Sequence, residues 1–119
     1  MSARARLEVE LDIFSGMPNP MWVLTNAEAD SFLKQLTKLP RTLVRELSGN
    51  LGYRGFIVQV IQGADTQLIR IQTGTVHITK GATNVYGYDE DRALERWLLN
   101  TGKPYIRKET FQIAEREFR

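Results

Sequence analysis

The chain has 119 residues, no cysteine, and 16 basic against 14 acidic residues for a net charge of +2. That length predicts one domain, able to bury about two thirds of its unfolded surface without a metal or disulfide. Missing cysteine excludes disulfides, thiol nucleophiles and cysteine-ligated zinc or iron–sulfur sites, and the interspersed charge argues against a dedicated nucleic-acid binder.

Residues 7–14 alternate strictly. Leu7, Val9, Leu11 and Ile13 face one way, while Glu8, Glu10, Asp12 and Phe14 face the other, the pattern of a strand with one buried face. Ser15 and Gly16 end it. Pro18 and Pro20 fix their own φ and push Met17 and Asn19 toward extended backbone. With Met17, Met21 and Trp22 beside them, residues 14–22 form a stiff loop. Such a loop either plugs one end of the core or presents a preorganised surface to a ligand or partner.

Thr25 followed by Glu28 has the capping-box spacing, and Ala29, Phe32, Leu33, Leu36 and Leu39 recur at helical intervals. A helix through residue 39 is expected. Pro40 suits the first turn of a second, shorter helix over 41–47, closed by Ser48-Gly49-Asn50. Lys34, Lys38, Arg41 and Arg45 would line one helical face, read as solvated rather than anion-binding.

Gly52 and Gly55 bracket Tyr53 and Arg54. Phe56-Ile-Val-Gln-Val-Ile-Gln62 is apolar enough for a central strand. A turn over 63–66, a strand over 67–72, a Thr73-Gly74 connection and a strand over 75–79 complete a meander, with a bulge at Gly74 as the rival. Strand 75–79 is a candidate edge for pairing with a peptide. Lys80 to Tyr88, holding Gly81, Asn84, Tyr86 and Gly87, reads as a loop long enough to wall a site. Asp89-Glu90-Asp91 then opens a helix with Ala93, Leu94, Trp97 and Leu98 as its stripe, stopped by Gly102 and Pro104. In the tail, Phe111, Ala114 and Phe118 fit a helix face, and Phe111 with Ile113 equally fits a strand. These apolar residues need cover from this domain or from another copy.

The sum is an α+β fold: a mostly antiparallel sheet of about four strands with two main helices on one face, ordered β-α-α-β-β-β-α plus tail. Residues 1–104 are read as a single domain and 105–119 as an extension able to contact a subunit or partner. No apolar run approaches a membrane span, and Ser-Ala-Arg-Ala-Arg after Met1 lacks the apolar core of a secretory signal, so a cytoplasmic protein without a membrane partner is expected.

His77, the sole histidine, is read as an exposed or hydrogen-bonded strand residue, since a metal site needs three or four protein ligands. No metal or cofactor is expected. Asp12 is the best acid, base or polar anchor because it stands where a strand meets a rigid loop; the blander alternative is that it bonds the N–H groups of its own turn. Arg54, Asn84, Tyr86 and Tyr88 could converge on it from other loops. The candidate catalytic set is Asp12, His77, Tyr86 and Tyr88. The candidate binding set is Phe14, Ser15, Met17, Asn19, Met21, Trp22, Arg54 and Asn84. The sequence has no Walker motif, no G-x-G-x-x-G, no H-E-x-x-H and no G-x-S-x-G.

Asp-Ile-Phe-Ser-Gly-x-Pro-Asn-Pro-x-Trp at 12–22, Leu-Gly-Tyr-Arg-Gly at 51–55 and Leu-Glu-Arg-Trp-Leu-Leu at 94–99 together resemble a group of small bacterial proteins. The likeness covers most of the chain but not the tail. It implies a single-domain bacterial protein and carries no activity or catalytic residue with it. The functional expectation is a non-catalytic binding module, self-associating or holding a protein or peptide partner through residues 14–22. The alternatives are a small enzyme acting on a small molecule or peptide with Asp12 as acid, base or anchor, and an accessory subunit of a biosynthetic enzyme.

Overall fold

The alternation at the N-terminus gives β1 (Arg6–Leu11), shorter than the pattern because Asp12 to Phe14 leave the strand for the loop. The computed structural model describes residues 5–45, 47 and 52–118, so the expected helix stop at Ser48-Gly49-Asn50 lies outside them. After the loop come β2 (Met21–Val23), α1 (Asn26–Thr37) and β3 (Arg41–Thr42). Then follow β4 (Phe56–Gln62), β5 (Asp65–Gln72), β6 (Thr75–Lys80) and β7 (Thr83–Tyr88). A 3-10 turn, Glu90–Arg92, leads into α2 (Ala93–Gly102), and Lys103–Tyr105 leads toward α3 (Lys108–Arg116). No helix of the described residues is long and apolar enough to cross a membrane.

The α+β class holds, but among the described residues the sheet has seven antiparallel strands, in the order β2-β1-β4-β5-β6-β7-β3, and this overturns the expected count of about four. Each added strand has a local cause. β2 is only three residues of Met-Trp-Val, too short to announce itself beside a proline loop. Pro40 opens no second helix: its carbonyl accepts from Tyr88 N–H at 2.9 Å, and Arg41 pairs with Gly87 at the sheet edge. The Lys34/Lys38/Arg41/Arg45 stripe is broken by that strand.

The expected 80–88 loop is β7, rich in the β-branched and aromatic residues that favour strands. Asn84 and Gly87 look like loop signals, but Gly87 is where backbone approaches backbone: a Cβ there would stand 3.3 Å from Pro40 O. Strand 75–79 is therefore interior, flanked by β5 and β7, and offers no edge.

Two-residue hairpins join β4 to β5, β5 to β6 and β6 to β7, with Gln62 opposite Asp65, Gln72 opposite Thr75 and Lys80 opposite Thr83. Thr73 and Gly74 both have positive φ, 48° and 82°, as a type I′ turn requires. Gly74 is thus a turn residue rather than a bulge.

Register places Trp22, Val9, Val58, Ile69, Ile78 and Val85 in one cross-strand row, and Leu11, Phe56, Ile71 and Val76 in the next. α1 and α2 cover this face with Phe32, Leu36, Leu94, Leu98 and Leu99. The predicted capping box on α1 is present, with Glu28 N–H donating to Thr25 Oγ1 and Thr25 N–H to Glu28 Oε1. The tail resolves as helix: α3 buries Ala114 in the common core with Ile106, and Phe118 sets its ring edge against Tyr53. This domain covers Ala114 and, in part, Phe111 and Phe118, while Ile113 stays exposed.

Candidate functional site

The loop after β1 is held by side chains as well as by its prolines. The β1–β4 ladder runs one step further, with Asp12 N–H donating to Gly55 O at 2.9 Å and Arg54 N–H to Asp12 O at 2.8 Å. Gly55 has φ +85°, and a Cβ there would meet Ile71 O at 2.0 Å, so only glycine fits. The turn it makes aims the Arg54 side chain at the loop. Arg54 Nε and Nη2 donate to Asp12 Oδ1 at 3.1 and 2.9 Å, and Nη2 also donates to Phe14 O at 2.7 Å.

Asn19 closes the loop from the other side. Its Oδ1 accepts from Ile13 N–H at 3.1 Å and Phe14 N–H at 2.7 Å. Its Nδ2 donates to Glu10 Oε2 at 2.8 Å and Asp12 Oδ1 at 3.3 Å. Leu11 N–H donates to Pro20 O at 3.0 Å. The turn N–H groups are thus satisfied by Asn19, and Asp12, buried to 8% exposure, spends its charge on Arg54.

Trp22 lies on the core face of the sheet. Its Nε1–H donates to Thr101 Oγ1 at 3.0 Å, its ring and that of Phe56 meet in a T, and its Cη2 and Cζ2 pack against Gly102, where a Cβ would come within 2.5 Å. Ser15, Met17 and Met21 project outward, the two methionines at 58% and 59% exposure, and Phe14 is half-buried. Opposite Phe14, Met17 and Pro18 stand Tyr105, Arg107, Glu109 and Thr110, leaving an open cleft of about 590 Å³. One cation and one anion line it, so it selects no strong net charge.

The remaining candidates lie on the sheet face opposite α1 and α2. Register sets Met21, Glu10, Ile57, Arg70, His77 and Tyr86 side by side across six strands. Arg70 Nη2 stands 3.6 Å from Asp12 Oδ2. The His77 ring stacks on Tyr86 with centroids 4.4 Å apart and planes 2° from parallel, and His77 Nε2 lies 2.9 Å from Asn84 Oδ1. The expected convergence therefore splits in two. Arg54 joins Asp12 directly, Asn84 and Tyr86 join His77, and Arg70 stands between the groups. Tyr88, opposite Thr75, sits one row away at 40% exposure. Among the described residues no hydrogen bond links any two of Asp12, His77, Tyr86 and Tyr88, so that set is not joined as one acid–base unit; His77 Nε2 instead lies 3.3 Å from Thr79 Oγ1, beside Asn84.

A third polar group went unread in the sequence. Glu95 is fully buried and accepts from Tyr53 O–H, from Gly74 N–H at 3.2 Å, and from Arg92 Nε and Nη2 at 3.1 and 2.8 Å. Asp91 and Arg92 take left-handed φ of 56° and 55°, and that kink turns the Arg92 guanidinium back onto Glu95. Arg92 Nη1 also donates to Glu117 O at 2.6 Å, and its guanidinium lies 4.3 Å from the Phe118 ring centroid. Burial first, and then the Glu95 charge, push the Tyr53 phenol well above its ordinary value. Burial raises the Asp89 carboxyl against the pull of its bonds from Leu94 and Glu95 N–H, at 2.9 and 3.0 Å. The Glu95 hydrogen bonds raise Arg92 further.

This cluster joins the 53–55 turn, the β5–β6 hairpin, α2 and the tail. Its one sequence signal is position: Glu95 occupies a helix face that also carries Leu94, Leu98 and Leu99. Among the described residues no three His, Asp or Glu gather as metal ligands, and no buried side-chain polar atom lacks a partner.

Compared with protein-family models, curated proteins and solved structures, the chain gives no match.

Proposed function

We propose that the chain is a non-catalytic binding module whose contact surface is the cleft between the 14–20 loop and residues 105–110, and that it takes an extended protein or peptide segment. One observation carries this: the loop wall is fixed in advance by the Asn19–Asp12–Arg54 clasp while Met17 faces solvent beside it. A wall already ordered loses little entropy on binding, and an exposed methionine adapts to varied apolar side chains. Catalysis is the weaker reading, because both Asp12 oxygens already face arginines and Asn19.

Selection of peptides from a displayed library on the full chain tests the proposal. Selected peptides should bind at least about tenfold more weakly to Met17→Ser and Tyr105→Ala, equivalent to about 1.4 kcal/mol. Neither exposed substitution should move the melting temperature, and Tyr88→Ser, outside the cleft, should leave binding unchanged. Peptides indifferent to both cleft substitutions, or a library yielding none, would overturn it.

A further inference from the structure

A different concavity lies on the helix side of the sheet, at the edge opposite β2. Ile78 and Val85 face each other across β6 and β7 and continue the row that holds the fully buried Ile69 and Val58. The helices do not finish covering that row, and Ile78 and Val85 are only half-buried. Leu33 and Leu36 of α1 form the facing wall of a trough of about 410 Å³. Lys80, two residues past Ile78 and so on the same side of its strand, and Arg41 stand among its lining residues. Both cations are exposed, and among the described residues neither side chain has an ion-pair or hydrogen-bond partner. The other polar lining groups are neutral, and among the described residues no carboxylate lines the trough.

We propose that this trough binds a medium-chain alkyl carboxylate, with its chain on Ile78, Val85, Leu33 and Leu36 and its headgroup between Arg41 and Lys80. The volume and the make-up, mostly apolar with a few placed polar groups, are those of a small-molecule site. The anionic head follows from two cations with no opposing charge among the described residues, and the alkyl body from the uncovered apolar row. A second copy of the chain fits poorly. A twofold contact sets a patch against itself, and here that would press together two patches whose charged lining residues, Arg41 and Lys80, are all cations.

Calorimetry on the full chain, with straight-chain carboxylates of about six to twelve carbons kept below their micelle concentrations, tests this. Each added methylene should tighten binding by about fourfold until the trough is filled, the fold-change equivalent of burying one CH₂. The matching alcohols should bind roughly five- to tenfold more weakly, the effect of losing partly exposed ion pairs. The double variant Arg41→Gln/Lys80→Gln should lose the preference for carboxylate over alcohol while keeping the dependence on chain length. Methyl resonances of Ile78 and Val85 should shift on titration. No binding below millimolar, no chain-length dependence, an equal response to alcohol and carboxylate, or shifts confined to the 14–20 loop would each overturn the proposal. So would dimerisation that buries Ile78 and Val85. Failure here leaves the peptide cleft untouched, since the two surfaces share no residue.

Discussion

Asn19→Ala is the sharpest probe of the clasped loop. The change strands two N–H groups, Ile13 and Phe14, that Asn19 Oδ1 now accepts at 3.1 and 2.7 Å. It also removes two Nδ2–H donors to Glu10 and Asp12. Each stranded donor costs about 1 kcal/mol where water can partly replace the lost acceptor, and the two carboxylate bonds add less because the site is half-exposed. The sum is about 2–3 kcal/mol, or a melting temperature lower by roughly 8–12 °C for a domain of this length.

Urea unfolding followed by tryptophan fluorescence gives the free energy, and amide exchange at Ile13 and Phe14 reports the local opening. Asn19→Asp sharpens the test. It keeps the acceptor but places a third carboxylate beside Glu10 and Asp12, and it should be at least as destabilised at neutral pH. A loss under about 0.5 kcal/mol for Asn19→Ala, with both amides still protected, would refute the idea that this side chain holds the loop.

Glu95→Gln removes the charge that faces Arg92 inside the core and should cost about 3 kcal/mol by urea unfolding, as breaking a buried pair does; a loss under about 1 kcal/mol would show the cluster to be energetically idle. Tyr53 has a raised folded-state pKa, so its contribution is intact below its ordinary value near 10 and is lost as pH rises above it, where only the unfolded chain ionises. Wild type should therefore lose stability more steeply than Tyr53→Phe between about pH 9 and 11, and parallel profiles would contradict this. Gly102→Ala forces a methyl to within 2.5 Å of the Trp22 ring and should cost about 1–3 kcal/mol. Near-ultraviolet circular dichroism should show the indole displaced, and an unaltered spectrum with full stability would count against the packing described.

What was legible in the sequence was whatever a short window contains. The alternation from Leu7 to Leu11, the Thr25–Glu28 box and the turn residues Thr73-Gly74 each state their structure locally, and each is present. β3 and β7 were hidden because Pro40, Asn84 and Gly87 carry turn chemistry that tertiary pairing overrides. The site was half legible for the same reason. Asp12, Asn19 and Arg54 were visible as residue types, but Asp12 and Arg54 meet across 42 positions, and only the β1–β4 pairing brings them together. For Trp22 the sequence leaves open whether it plugs the core or faces a partner, because nothing nearby in the chain shows that it packs against Gly102. Glu95 gave almost no warning: its partners Tyr53, Gly74 and Arg92 come from two distant turns and its own helix start.

The sheet ends in stubs. Its border strands are three and two residues long, and each follows directly on a proline, Pro20 or Pro40. Long borders of unmet amides and carbonyls are what recruit neighbouring chains into fibrils, and proline beside a short border discourages that templating. Among the described residues every long strand has a neighbour on both sides, though β3 meets β7 at Tyr86 and Gly87 alone, so growth by backbone addition has only short stretches to start from.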